Sequence, residues 1–124
     1  MEDNKTSISI GANIRRAIMG DAYLGATLTD CYPLVGDAST LPYVVYGCIG
    51  MGERVIKGGV YIDTSNIQVI CYAAGYDETL EIAEAVRRVL EDCDDFHRVT
   101  LVNRKEGYDA DCFIQELTFS IVTH

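Results

Sequence analysis

Tyr61-Ile-Asp-Thr-Ser-Asn-Ile-Gln-Val-Ile-Cys-Tyr-Ala-Ala-Gly75, followed at once by Tyr76-Asp-Glu-Thr-Leu-Glu-Ile-Ala-Glu-Ala-Val-Arg-Arg-Val-Leu90, decides how the chain folds. The first half is rich in β-branched and aromatic residues. Ile67, Val69 and Cys71 fall on one face, and Gln68, Ile70 and Tyr72 on the other, which is the period of a strand. This strand is expected to be the longest and most central one.

Gly75 punctuates, and the period then becomes helical. Leu80, Ala83, Val86 and Leu90, with Ile82 and Val89 beside them, form a broad apolar stripe. Asp77 is the expected N-cap, and Glu78 puts negative charge near the positive end of the helix dipole. Asp77, Glu81, Glu84, Arg87, Arg88 and Glu91 fill the other side, with Glu84 and Arg88 in the favourable i,i+4 order. Such a helix cannot bury its stripe alone in water, so a sheet must receive it.

Working towards the N-terminus, Tyr43–Ile49 reads as a second strand, with Pro42 just before it, where a proline is tolerated. Five glycines between Gly47 and Gly59 weaken regular pairing and permit sharp reversals. They predict an exposed, flexible hairpin arm joining the two strands. Tyr32–Val35 is a candidate edge strand stopping at Gly36-Asp37, and residues 22–30 are ambiguous. Before them Ile10, Ile14, Ala17 and Ile18 repeat at helical spacing, with Asn13, Arg15 and Arg16 off the stripe. Thr6 or Ser7 is the expected cap of that helix, and Gly20-Asp21 its end.

Towards the C-terminus, His97–Val102 alternates as a strand, and Asn103–Asp111 reads as a polar connection. Phe113, Gln115, Leu117, Phe119 and Ile121 then alternate with polar and β-branched residues in a final strand. The expected fold class is α+β: an antiparallel or mixed sheet of four to five strands with two helices packed on one face, in one domain over residues 1–124.

Composition narrows the function. Nineteen acidic against ten basic residues give a net charge of −9, which opposes close binding to phosphate backbones. A conventional nucleic-acid reader is not expected, although a protein that surrounds DNA without gripping it is compatible with this charge. No apolar run approaches the roughly 20 residues that span a bilayer, and Met-Glu-Asp-Asn-Lys lacks a signal peptide's layout. A cytoplasmic, non-membrane protein is expected. The five cysteines, Cys31, Cys48, Cys71, Cys93 and Cys112, suit reduced core thiols better than a disulfide framework.

The stock of chemical groups is thin. Gly47-Cys-Ile-Gly-Met-Gly52 has the wrong glycine order for a phosphate loop and no following helix. Cys93 and His97 have tolerable metal spacing but no partner pair to complete four ligands. Glu106, Asp109 and Asp111 lack a calcium loop's framework, which leaves a solvated acidic loop as the better account. His97 and His124 are the only histidines available as a base. No catalytic, cofactor or metal residues are therefore assigned. Of the eight tyrosines, Tyr32, Tyr43, Tyr46, Tyr61 and Tyr72 lie in or beside strands, where core packing and subunit contact both remain open.

Several blocks of sequence resemble the small tail completion, or tail terminator, family of long-tailed bacteriophages and prophages, many of whose members are known only as a domain of unknown function. They are Tyr32-Pro33, Leu41-Pro-Tyr-Val-Val-Tyr46, Thr64–Tyr72, Gly75-Tyr-Asp77 with Leu80–Arg88, and Tyr108 followed by Phe113–Ile121. Each block is loose, and their joint order carries the resemblance. The resemblance implies a non-enzymatic subunit that closes into a ring, usually a hexamer, on the end of the tail tube. Its partners would be other copies of itself, the major tail protein and the head-tail connector protein. DNA would pass through without specific binding, and acidic residues lining that passage would keep the genome from sticking. Virion assembly in the bacterial cytoplasm, with final residence in the tail, follows from the same resemblance.

For interfaces the residues singled out are Arg54 and Lys57, rare cations in the glycine-rich arm; ordinary solvation of an exposed loop is the competing account. The rival function is a cytosolic α+β module binding a small ligand or a protein, which predicts a monomer or dimer with a concave pocket. A thiol- or metal-dependent enzyme is the third class, and it predicts one reactive cysteine or a retained metal.

Overall fold

The computed structural model describes residues 8–34, 40–52, 55–58 and 60–123, with residues 55–57 and 60–62 described by their backbone. The elements are α1 (Ile10–Gly20), α2 (Ala22–Thr27), β1 (Asp30–Pro33), β2 (Tyr43–Met51), β3 (Val55–Lys57), β4 (Val60–Ala73), α3 (Tyr76–Glu91), β5 (Arg98–Asp109) and β6 (Cys112–Thr123).

Five strands lie in the order β1-β2-β4-β6-β5, and β3 pairs with the start of β4. The β1–β2 pair is parallel and the other pairs are antiparallel, so the sheet is mixed. β4, at 14 residues, is the longest strand and occupies the middle of the order. The alternation of its sequence decides this placement, because a central strand needs both of its edges paired and one face dry. Ile67, Val69 and Cys71 are wholly buried, as are Phe119 and Ile121 on the neighbouring β6.

These residues share one core with Ile10, Ile14 and Ile18 of α1, Leu24 of α2, and Ile82, Val86 and Leu90 of α3. The helices therefore lie on a single face of the sheet. On the other face Tyr43 stacks on Tyr72, ring centroids 4.7 Å apart, and the Gln68 amide donates to Glu116 across 3.0 Å.

Several features differ from the sequence reading, the first being that the edge strand is Asp30–Pro33 and not Tyr32–Val35. Residues 22–27 form a third, short helix: the Asp21 carboxylate accepts from the Leu24 amide at 3.0 Å, and one turn of chain is enough to seat Leu24 in the core. The N-cap of α3 is Gly75, not Asp77; Asp77 sits in the first turn, where its charge still favours the dipole. Asn103–Asp111 is not a connection, because β5 continues to Asp109 and reverses at Ala110-Asp111. Asn13 is buried although it lies off the apolar stripe, and its amide oxygen accepts from the Arg16 guanidinium at 2.8 Å. The N-cap of α1 is Ser9, not Thr6 or Ser7, because the helix begins only at Ile10; Thr6, Ser7 and Gly36-Asp37 themselves lie outside the described residues.

The glycine-rich arm is a hairpin extension of the sheet. β2 pairs with β4 from Tyr43↔Tyr72 to Met51↔Ser65, the Gly52 amide donates to the Thr64 carbonyl at 2.7 Å, and β3 resumes pairing at Val55↔Ile62. Gly58 adopts φ +60° in the reversal, a conformation that favours glycine.

Candidate functional site

The residues first considered for chemistry are not brought together. Cys93 is half-buried at the end of α3, and burial raises its thiol pKa. His97 is exposed at the start of β5, and no group of three or more metal-ligating side chains occurs among the described residues. Burial pushes the Cys31 thiol up to about 12 and raises that of Cys71 as well, which makes both poor nucleophiles at neutral pH. Gly47–Gly52 is strand and strand end, without the helix N-terminus a phosphate loop needs.

Glu106 does not join Asp109 and Asp111. Its carboxylate instead accepts from the Tyr76 hydroxyl at 2.8 Å, the Arg104 guanidinium at 2.7 Å and the Gln115 amide at 3.0 Å. The hydrogen bond from Tyr76 leads in holding the Glu106 carboxyl below its ordinary value, with Gln115 next and Arg104 further down. Gln115 is wholly buried, and its amide oxygen accepts from Arg104 at 3.3 Å. This network ties the first turn of α3 to β5 and β6. Reading 103–111 as a loop concealed it, although Arg104 and Glu106 already stood at strand spacing.

Beside the network, Leu80, Ala83, Glu84, Arg87, Leu101 and Leu117 line a groove of about 280 Å³ between α3 and β5. A second groove, of about 300 Å³, lies at the opposite margin of the sheet, floored by Ile10, Ile14, Tyr46 and Ile67. Ile8, Leu34, Ile49 and Met51 are exposed near this margin at 94%, 73%, 57% and 53%. The tyrosines divide in the same way: Tyr46 belongs to the core under the helices, whereas Tyr43 and Tyr72 lie on the face away from them. Tyr61 is described by its backbone only.

Of the two cations singled out for interfaces, Arg54 lies outside the described residues, and Lys57 is placed by its backbone pairing with Val60 in the arm. The acidic charge is uneven: residues 77–95, α3 and the turn after it, hold eight of the nineteen acids and two of the ten bases. The helix layer is therefore the strongly negative side.

The family model for tail completion protein gp17 matches residues 12–124. Among solved structures, the chain is similar to one in the virion of a native gene transfer agent particle, with a TM-score of 0.69 over 94% of this chain and 98% of that chain at 18% identity. At that identity the likeness is one of fold. No curated protein matches the chain in sequence.

Proposed function

This chain belongs to the tail completion protein gp17 family, and we propose that it closes into a ring, most economically a hexamer, on the end of a tail tube. A structural role in a phage-type tail comes with the family. In the finer reading the ring stops tube growth and presents a surface to the head-tail connector protein. It is assembled in the bacterial cytoplasm, and residues 1–124 act as one non-enzymatic domain.

The observation that carries this reading is the family match over residues 12–124. A sheet whose two outer edges are unpaired among the described residues supports self-association, since free edges invite pairing with another chain. The arm bearing Arg54 and Lys57 is the proposed contact with the major tail protein. For DNA to pass without sticking, the α3 face must turn towards the lumen, because that face carries the excess acid. Reversing Glu81 and Glu84 to Lys would then slow DNA passage; unchanged passage would place α3 on the outside.

The direct test adds the purified chain to polymerising tail-tube protein. Growth stops and electron microscopy shows added density at one tube end if the reading holds. Undiminished growth with bare tube ends rejects it.

A further inference from the structure

The two margins of the sheet differ in kind and complement each other. At the first, β1 pairs with β2 only from Asp30↔Tyr43 to Pro33↔Tyr46. The Leu34 amide makes a last bond to the Tyr46 carbonyl at 2.7 Å, and Leu34 then turns at φ +64°. Because the Tyr46 main chain points outward to that bond, strand alternation points the N–H and C=O of Cys48 outward too. Among the described residues no strand takes the outer side of Gly47–Met51. Leu34, Ile49 and Met51 stand exposed around it, and the apolar groove over Ile10, Ile14 and Ile67 adjoins it.

At the second margin β5 pairs with β6 from Arg98↔Val122 to Asp109↔Cys112, and its other side is unpaired among the described residues. The register shifts between Leu101 and Asn103. The intervening Val102 is 55% exposed, whereas Val99 and Leu101 of the same strand pack against the core.

Direction, charge and surface chemistry relate the two margins. β1, β2 and β6 run one way and β4 and β5 the other. A second copy set beside the first with strand directions preserved therefore brings its β5 antiparallel to β2. Residues 40–52 carry no charged side chain, while residues 97–105 contain Arg98, Arg104 and Lys105 and no acid, Arg104 being paired with Glu106 at 2.7 Å. The basic β5 edge repels a second copy of itself, whereas the uncharged, apolar edge at Gly47–Met51 does not, so charge disfavours a β5–β5 contact and leaves β5 against β2. Each copy uses each of these two segments once, so the contact is head-to-tail and repeats from copy to copy until a ring closes.

We propose that Gly47–Met51 of one copy receives the outer edge of Arg98–Lys105 of the next, antiparallel, so that the sheet runs on from subunit to subunit with Val102 set against Leu34 and Ile49. This rests on the ring reading above and assigns its contact.

The test uses the full chain with Thr100→Cys or Asn103→Cys and the native, exposed Cys48, mildly oxidised under conditions of assembly on tubes. At least one variant yields a ladder of disulfide-linked multimers, because paired strands hold Cα atoms within bridging distance. Cys48→Ser removes the ladder. Ile49→Arg, at an exposed position, adds a cation facing the basic edge and lowers ring yield by at least about tenfold. Rings at tube ends with no ladder and no response to Ile49→Arg overturn this contact while the ring stands. A ladder that survives Cys48→Ser also overturns it. No rings and no ladder reject both the contact and the ring.

Discussion

β5 and β6 are two strands of 12 residues each, paired along their whole length, yet they occupy opposite environments. β6 buries Gln115, Leu117, Phe119, Ile121 and Thr123 at alternate positions, whereas β5 is exposed at ten of its twelve residues. The ladder between them is common to both, but β6 also pairs with β4 on its other side, whereas β5 has no second partner strand among the described residues. β6 lies under α3 and beside the central β4, whereas β5 packs only Val99 and Leu101 against the core and, among the described residues, leaves its outer edge unpaired. The sheet thus concentrates its stability in β4 and β6 and leaves β5 with little packing to lose, which frees that strand for contact with another chain.

The largest effect expected from this contrast is at Phe119, which is wholly buried. Phe119→Ala should destabilise by about 3–5 kcal/mol through lost burial and a residual cavity, measured by denaturant unfolding. A change below about 1 kcal/mol would show that the β6 face is not the packed one. The next concerns Gln115, the buried amide of β6 that binds Glu106 and Arg104 on β5. Gln115→Leu should destabilise by about 0.5–1.5 kcal/mol, since it removes the hydrogen bonds of a buried amide to Glu106 and Arg104, two exposed partners that water can still solvate. Thermal melts would decide it, and no change would mean the two strands are not joined by that network.

How far these differences could be read in advance depended on burial. β4, α3 and β6 were legible because one dry face imposes a period of two or 3.6 on the sequence. The outer half of β5 was not, because exposure on both faces removes the alternation, and Gly107 inside it reads as punctuation. Its reversal is made by Ala110 and Asp111 at φ +50° and +64°, without the glycine that usually marks such a turn. α2, at six residues, is too short to show a helical period. The glycine-rich arm was legible as a hairpin, but the grooves at either margin are lined by residues of helix and sheet that lie far apart in the chain, which no local pattern encodes.

A smaller effect is the pH response of Glu106. Its folded pKa is depressed, chiefly by the Tyr76 hydroxyl. The stability it contributes is therefore present above the ordinary glutamate value and lost as pH falls through the folded one. Wild type should exceed Glu106→Gln at neutral pH, with the gap narrowing below about pH 4; a gap constant down to low pH would remove the charge-based explanation. The smallest effect belongs to exposed β5 itself: Val102→Ser should shift the stability of the isolated chain by no more than about 0.5 kcal/mol. If it matched the loss at Phe119, the contrast between the strands would fail.

The claim that β5 is held in reserve for assembly is tested most directly by amide hydrogen exchange on the chain alone and on the chain bound at tube ends. The prediction is that the outward-facing amides of 98–105 and of 47–51, those not bonded to β6 or β4, exchange readily in the free chain and slow together on assembly, while the amides of β4 and β6 are slow in both states. Assembled particles in which 98–105 and 47–51 exchange as fast as in the free chain would contradict it.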